Sequence, residues 1–289
     1  MVRSLFLIAI LFFALGWRVP GPVPDVMAED RMQTAIEVLA RTATGHTLLD
    51  RAAANWGVRR SDLKKKFRWG NVSRTHAVLT RRLDSKTGKE IREREITIYI
   101  RRDGSLEELV LDMAHEMVHA IARPAWDPYD PALTAGRYIS AAIEGEGGEV
   151  DAMVTECSVH RELETRIPLS KRCSRYLSSN GVPDRARIRK DFYQVGEYSA
   201  DLSQRLGRDR DRLPLLSSSP PELLSSTGRA PYPVALFEEY EELMRVACEN
   251  SRKRIEVISS QSLRTPASIS HPVRETTEQF IKSRCVSGT

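Results

Sequence analysis

The chain has 289 residues, 41% of them hydrophobic and 29% charged, with a formal net charge of +5. That length and apolar content argue against a disordered chain and allow a sizeable core in one large domain or two small ones. The mildly basic balance comes with no nucleic-acid-binding motif, so no nucleic-acid partner is expected.

At the N-terminus, Arg3 precedes an apolar run from Leu5 to Trp17 that is too short to span a membrane comfortably. Residues 1–28 read as a signal peptide, with Val26-Met27-Ala28 supplying small residues for cleavage after Ala28. The expected location is therefore exported, periplasmic or extracellular, with no stable membrane span after cleavage. The proline-containing stretch from Arg18 to Pro24 leaves an uncleaved N-terminal anchor as the alternative. Export recasts the four cysteines as two disulfides; three connectivities are open, and pairing neighbouring elements favours Cys157 with Cys173 and Cys248 with Cys285.

From Asp30 to Asn55 the apolar positions recur at helical spacing, with a break expected near Thr44-Gly45, hence two short helices. Basic sequence carrying tryptophan follows through Trp69. Thr75–Leu83 and Ile91–Arg101 read as two strands joined by the turn Asp84 to Gly88. Basic residues at Arg59-Arg60, Lys64 to Arg68 and Arg185 to Lys190 form either a solvated exterior or a face for an anionic cell envelope.

A helix is expected from Ser105 to Arg123, opened by a Ser105/Glu108 capping box and stopped by Pro124. Inside it lies His115-Glu116-Met117-Val118-His119. Residues four apart share a helix face, so both imidazoles can reach one metal ion, and Glu116 projects beside them as a general base. The bland reading is a pair of hydrogen-bonded core histidines. Asp112, one turn earlier, is a candidate to orient the His115 ring.

Pro124 to Pro131, with Trp126, Tyr129 and two aspartates, is either a cleft wall or a surface loop. Further helices are expected at about 148–166, 191–206 and 234–258, with a Ser/Pro-rich connection over 214–233 and a loosely packed polar tail after Ser259 unless Cys285 pins it. The segment Glu144 to Ala152 gathers Glu144, Glu146, Glu149 and Asp151 at a helix start, where a cation or simple helix capping can explain them.

His115, Glu116 and His119, together with Glu149-Val150-Asp151-Ala152, resemble the gluzincin group of zincin metallopeptidases over residues 75–165. The resemblance implies an α+β, mainly helical fold: a zincin-like core with a small β-hairpin or sheet preceding the His-Glu helix. It implies Zn2+ held by His115, His119 and Glu149, with Glu116 catalytic. The gap from His119 to Glu149 is longer than in thermolysin-like enzymes, which keeps Glu146 as runner-up with Glu144 and Asp151 behind it. On the same helix Glu156 is a candidate to support a ligand, and His160 a candidate to stabilise a transition state across a cleft.

The expected domains are a signal peptide over 1–28, a zincin-like domain over 29–213, the connection over 214–233, and a C-terminal helix and tail over 234–289 packed on the same domain. The expected activity is peptide-bond hydrolysis, with peptide or protein substrates and cell-wall stem peptides among the candidates. The alternative is a non-catalytic secreted structural or binding protein on the same scaffold.

Overall fold

The computed structural model describes residues 25–83, 90–123, 126–163, 171–226, 228–262 and 271–285. The architecture is α+β and mainly helical, with one small three-stranded sheet. The proposed signal segment and the hairpin turn at 84–88 lie outside the described residues, apart from the end of the former. Helix α1 (Asp25–Ala40) already includes Ala28, so cleavage there would fall within its first turns.

Helix α2 (Ala43–Trp56) follows α1 after a break at Arg41-Thr42, three residues earlier than the sequence suggests. The reason is local. Thr42 caps α2 by accepting from the Gly45 amide, and a Cβ on Gly45 would run into the Leu39 carbonyl. Gly45 therefore serves close approach of the two helices rather than interruption.

Three strands follow: β1 (Phe67–Gly70), β2 (Arg74–Leu83) and β3 (Glu90–Arg101), in the order β1-β3-β2. β3 pairs antiparallel with β2, from Arg74 opposite Tyr99 to Leu83 opposite Glu90, and parallel with β1. Alternation puts Ile96, Ile98 and Ile100 of β3 into the core. β1 is not evident in the sequence, because four residues beside a basic run become a strand only by pairing with β3.

Helix α3 (Leu106–Ile121) starts with the full Ser105/Glu108 capping box and is buried along most of its length. Helix α4 (Ala135–Glu144), absent from the sequence reading, is capped by Thr134 and buries Tyr138, Ile139 and Ile143. Helix α5 (Glu149–Leu163) comes next, then the short α6 (Lys171–Ser174), α7 (Arg185–Phe192) and α8 (Ser199–Leu206). The continuous helix expected over 191–206 is broken. Residues 193–196 bond instead to 217–219 through Val195 N to Ser217 O, Gly196 N to Ser219 O and Ser217 N to Tyr193 O.

Helix α9 (Tyr232–Ser262) is longer than expected, and the tail forms a further helix, α10 (His271–Arg284). Phe280 buries against Ala247 and Cys248, and the Cys248–Cys285 disulfide ties the two helices together. Cys157 and Cys173 form the other disulfide. Both bonds suit an oxidising environment. Among the described residues no helix is long and apolar enough to cross a membrane.

Among the described residues two large apolar cores result, beside the small one around Phe280. One holds α1, α2, the sheet and α3; the other holds α4, α7, α8, the Leu213–Leu216 turn and the start of α9. Helix α5 joins them, giving Val159 and Leu163 to the first and Val150, Met153 and Cys157 to the second. Leu215, Leu216, Leu223, Ala230 and Tyr232 of the connection over 214–233 and the start of α9 pack into the second core. The seam between α3 and α5 is where the cores meet.

Candidate metal centre

His115 and His119 stand one turn apart on α3, with ring centroids 5.0 Å apart and planes at 73°. Each ring is held through its Nδ1. That of His115, a residue only 7% exposed, donates to Glu156 Oε2 at 3.0 Å, and that of His119 donates to the Gly147 carbonyl at 2.7 Å. Fixing both Nδ1–H groups turns both Nε2 atoms toward the same point as potential ligands.

Glu149 opens α5 directly opposite. Its Oε2 lies 3.3 Å from His115 Nε2, and its Oε1 lies 3.6 Å from His119 Nε2. One ligand atom from each of the three residues falls within 4.8 Å of the others, a group that could hold a metal ion. Within the hydrogen-bond geometry of the fold Glu149 Oε2 is buried with no well-aligned donor. A buried carboxylate facing two imidazole nitrogens is costly unless a positive charge, a proton or a cation, completes it, so the donor set fits a metal.

The electrostatics agree. Burial alone would lower the His115 pKa, but hydrogen bonds and charges from Glu149 and Glu156 outweigh it and push it up to about 10. Burial alone would raise Glu149, but His119, His115 and the Tyr232 hydroxyl hold it below the usual carboxylate range. The helix N-terminus favours the same anion. The site therefore concentrates demand for one positive charge, which a proton or a metal ion can meet.

The glycine-rich turn before α5 has a definite role. Gly147 takes a left-handed φ of 71°, and a Cβ there would collide with the Ala122 side chain. Only glycine lets the 147 carbonyl come close enough to α3 to accept from His119.

Glu116 faces the same cleft, and burial raises its pKa while His115, His119 and the Thr75 hydroxyl pull it down. Thr75 Oγ1 lies 2.7 Å from the Glu116 carbonyl oxygen and 2.9 Å from its Oε2, so β2 fixes both the backbone and the carboxylate of this residue. The cleft has a volume of about 730 Å3, between β2 on one side and α4 and α9 on the other. Trp126 lines it, whereas Tyr129 packs against Phe280 and under the Arg81 guanidinium, away from the cleft.

The remaining acidic candidates are engaged elsewhere. Glu144 accepts from the Tyr193 hydroxyl at 2.6 Å and pairs with Arg189. Asp151 accepts from the Gly147 amide at 2.9 Å and pairs with Arg185. Glu146 is exposed at the cleft rim. Two further candidates have other partners. Asp112 does not orient His115, both of whose ring nitrogens face Glu149 and Glu156; it accepts from Ser73 Oγ at 2.5 Å and pairs with Arg101 at 3.1 Å. His160 is 2% exposed and meets Glu107 at 2.9 Å, more than two helical turns along α5 from Glu149 and outside the cleft. Eleven residues of rise, about 16 Å, put it beyond reach of the cluster.

No known protein family, curated protein or solved structure matches the chain.

Sequence reasoning missed Thr75, Gly147 and Tyr232. A threonine in a strand needs no special explanation, and Tyr232 sits at the end of a Ser/Pro-rich connection, so neither carried a signal. Gly147 could have been found, since a Gly-x-Gly-Gly turn before an acidic helix start asks for a backbone reason. The basic clusters are largely answered locally: Arg59 and Lys65 pair with Asp62, Arg60 with Asp50, and Arg185 and Arg189 with Asp151 and Glu144.

Proposed function

We propose that the chain is an exported zinc metallopeptidase, as its resemblance to the gluzincins implies. The observation that carries this reading is the convergence of His115, His119 and Glu149, with Glu116 facing the same cleft. Two imidazoles and one carboxylate suit catalytic zinc, which takes three protein ligands and keeps a position for water. Bound there, zinc would supply Lewis acidity toward a peptide carbonyl and lower the pKa of water.

The chain's own groups do the rest. Glu116 takes a proton from the attacking water as the C–O bond forms, then delivers it to the leaving amine as the C–N bond breaks. A pKa raised by burial suits it to both roles. Thr75 holds its carboxylate, and Tyr232 steadies Glu149 through the phenol. The edge strand β2, from Arg74 to Ala77, lines the cleft with backbone groups that an extended peptide could pair with. The disulfides and proposed signal segment support export.

The test is zinc content and hydrolysis of a broad peptide mixture, wild type against Glu116→Gln. The variant is expected to keep zinc while kcat falls by roughly 10²–10⁴-fold. Full activity in that variant would sink the mechanism, and failure to take up zinc at neutral pH would favour a non-catalytic scaffold.

A further inference from the structure

The cleft does not end at the metal-binding group. A second hollow, of about 620 Å3, shares His115, Glu116, Tyr232 and Ser225 with the first and continues past them. Each bordering element passes from one hollow to the other in order. Along α3, Asp112 lies in the second hollow, His115 and Glu116 in both, and His119 and Ala122 in the first. Along β2 and the turn before it, Val72 lies in the second and His76 in the first, with Ser73 shared. On α5, Met153 borders the second and Glu149 the first. The candidate centre thus sits midway along one groove. The Asp112-to-Ala122 stretch alone gives it a length of about 15 Å.

A short strap borders the middle. Leu224 bridges to Pro231, and the Ser225 amide donates to the Ala230 carbonyl at 2.8 Å, and Ser225 and Ser226 line both hollows. The two arginines of the second hollow are already answered. Arg101 is held by Glu108 and Asp112, and Arg175 by Asp191 and Glu222. Neither offers an uncompensated charge to grip a chain terminus.

We infer that the enzyme is an endopeptidase: it takes an extended, unfolded stretch of polypeptide through the groove and cuts a bond internal to it, with residues seated on both sides of the cut. A groove of this length holds roughly four to five extended residues. This inference rests on the metallopeptidase reading and adds the substrate class to it. A wall across the groove beside the centre would confine cutting to chain ends; the groove instead continues in both directions, and the carboxyl of Glu239 on one side is engaged by Tyr138.

The experiment uses the full, zinc-loaded chain and two peptide sets of the same sequences, one with free termini and one N-acetylated and C-amidated, each long enough to fill both hollows. Mass spectrometry of the products is expected to show internal cuts in both sets at comparable rates, and none with Glu116→Gln. Val72→Trp, which places bulk at the wall of the second hollow, is expected to lower kcat/KM for the blocked peptides by roughly tenfold while zinc content is unchanged. Release of single terminal residues with the blocked set untouched would overturn the inference and leave the peptidase reading standing. So would Val72→Trp cutting blocked peptides at the wild-type rate. No cleavage of any peptide by zinc-loaded wild type would overturn both readings.

Discussion

Helix α3 and the α9–α10 pair bury polar and apolar groups in opposite proportions. Helix α3 is enclosed on nearly every side, yet Asp112, His115 and Glu116 lie within it, each engaged by groups from β2, β3 or α5. The distal α9–α10 pair has only a small core of Ala247, Cys248 and Phe280. Its faces carry charge pairs at helical spacing, such as Lys253 with Glu249 and Arg274 with Glu278. Ionisable groups in a deep interior are expensive, so their presence in α3 signals a ligand or chemistry. In the distal pair the structure uses a covalent link where apolar burial is thin.

This contrast can be broken from either end. After the loss of turnover in Glu116→Gln, the next largest effect is expected from the disulfide. Cys248 and Cys285 close a loop with a sequence separation of 37. Replacing both with serine should destabilise the helical pair by ~4 kcal/mol in the chain-entropy model. Hydrogen exchange should show the loss confined to α9 and α10, with zinc uptake intact. Weakened zinc binding in that variant would mean that the two regions are coupled.

The pH dependence of metal uptake follows from His115. With its pKa raised to about 10 in the metal-free fold, its proton stabilises that fold fully below the unfolded value of 6.5 and ceases to do so as pH rises through about 10. A metal ion must displace that proton, whereas Glu149 is already ionised. Zinc affinity should therefore rise about tenfold for each pH unit between 6 and 8, with proton release measurable by calorimetry in buffers of different ionisation enthalpy. A flat profile would show that His115 is neutral before the metal arrives.

Glu156→Gln should cost a further one to two decades, lowering zinc affinity by roughly 10- to 100-fold, because the amide no longer holds the His115 Nδ1–H with a full charge. Competition with a chelator of known affinity measures this. The smallest effect should come from Arg274→Ala on the exposed surface of α10, which removes the pair with Glu278 and is expected to change stability by less than about 0.5 kcal/mol in thermal unfolding. A larger loss there would show that the distal pair relies on its charges as much as on its disulfide.

Much of this was legible from sequence because it depends on short-range geometry. The alternation of β3, the Ser105/Glu108 cap and the four-residue spacing of His115 and His119 are each settled within one element. The disulfide pairing was legible for a similar reason, since each bond joins neighbouring elements. The break at 193–198 was not legible, because it depends on pairing with 217–219. Nor was the packing of α10, whose single large apolar anchor, Phe280, looks ordinary until Cys285 brings it against α9. The partners of Asp112 were not legible either: the helix puts it one turn before His115, but Ser73 and Arg101 engage it from across the packing.

By itself the sequence determined a helix with two imidazoles and a carboxylate on one turn, since 3.6 residues per turn leaves no other arrangement for that spacing. Only the tertiary structure decided what faces them. Three acidic neighbours of Glu149 carry the same charge in the same short segment, yet two are drawn into contacts with arginine, tyrosine or backbone groups and one is left at the rim. Glu149 alone is brought between the histidines, because α5 begins where the two cores meet and the left-handed Gly147 brings its carbonyl against α3. That depends on how separate elements pack, which no spacing within the chain encodes.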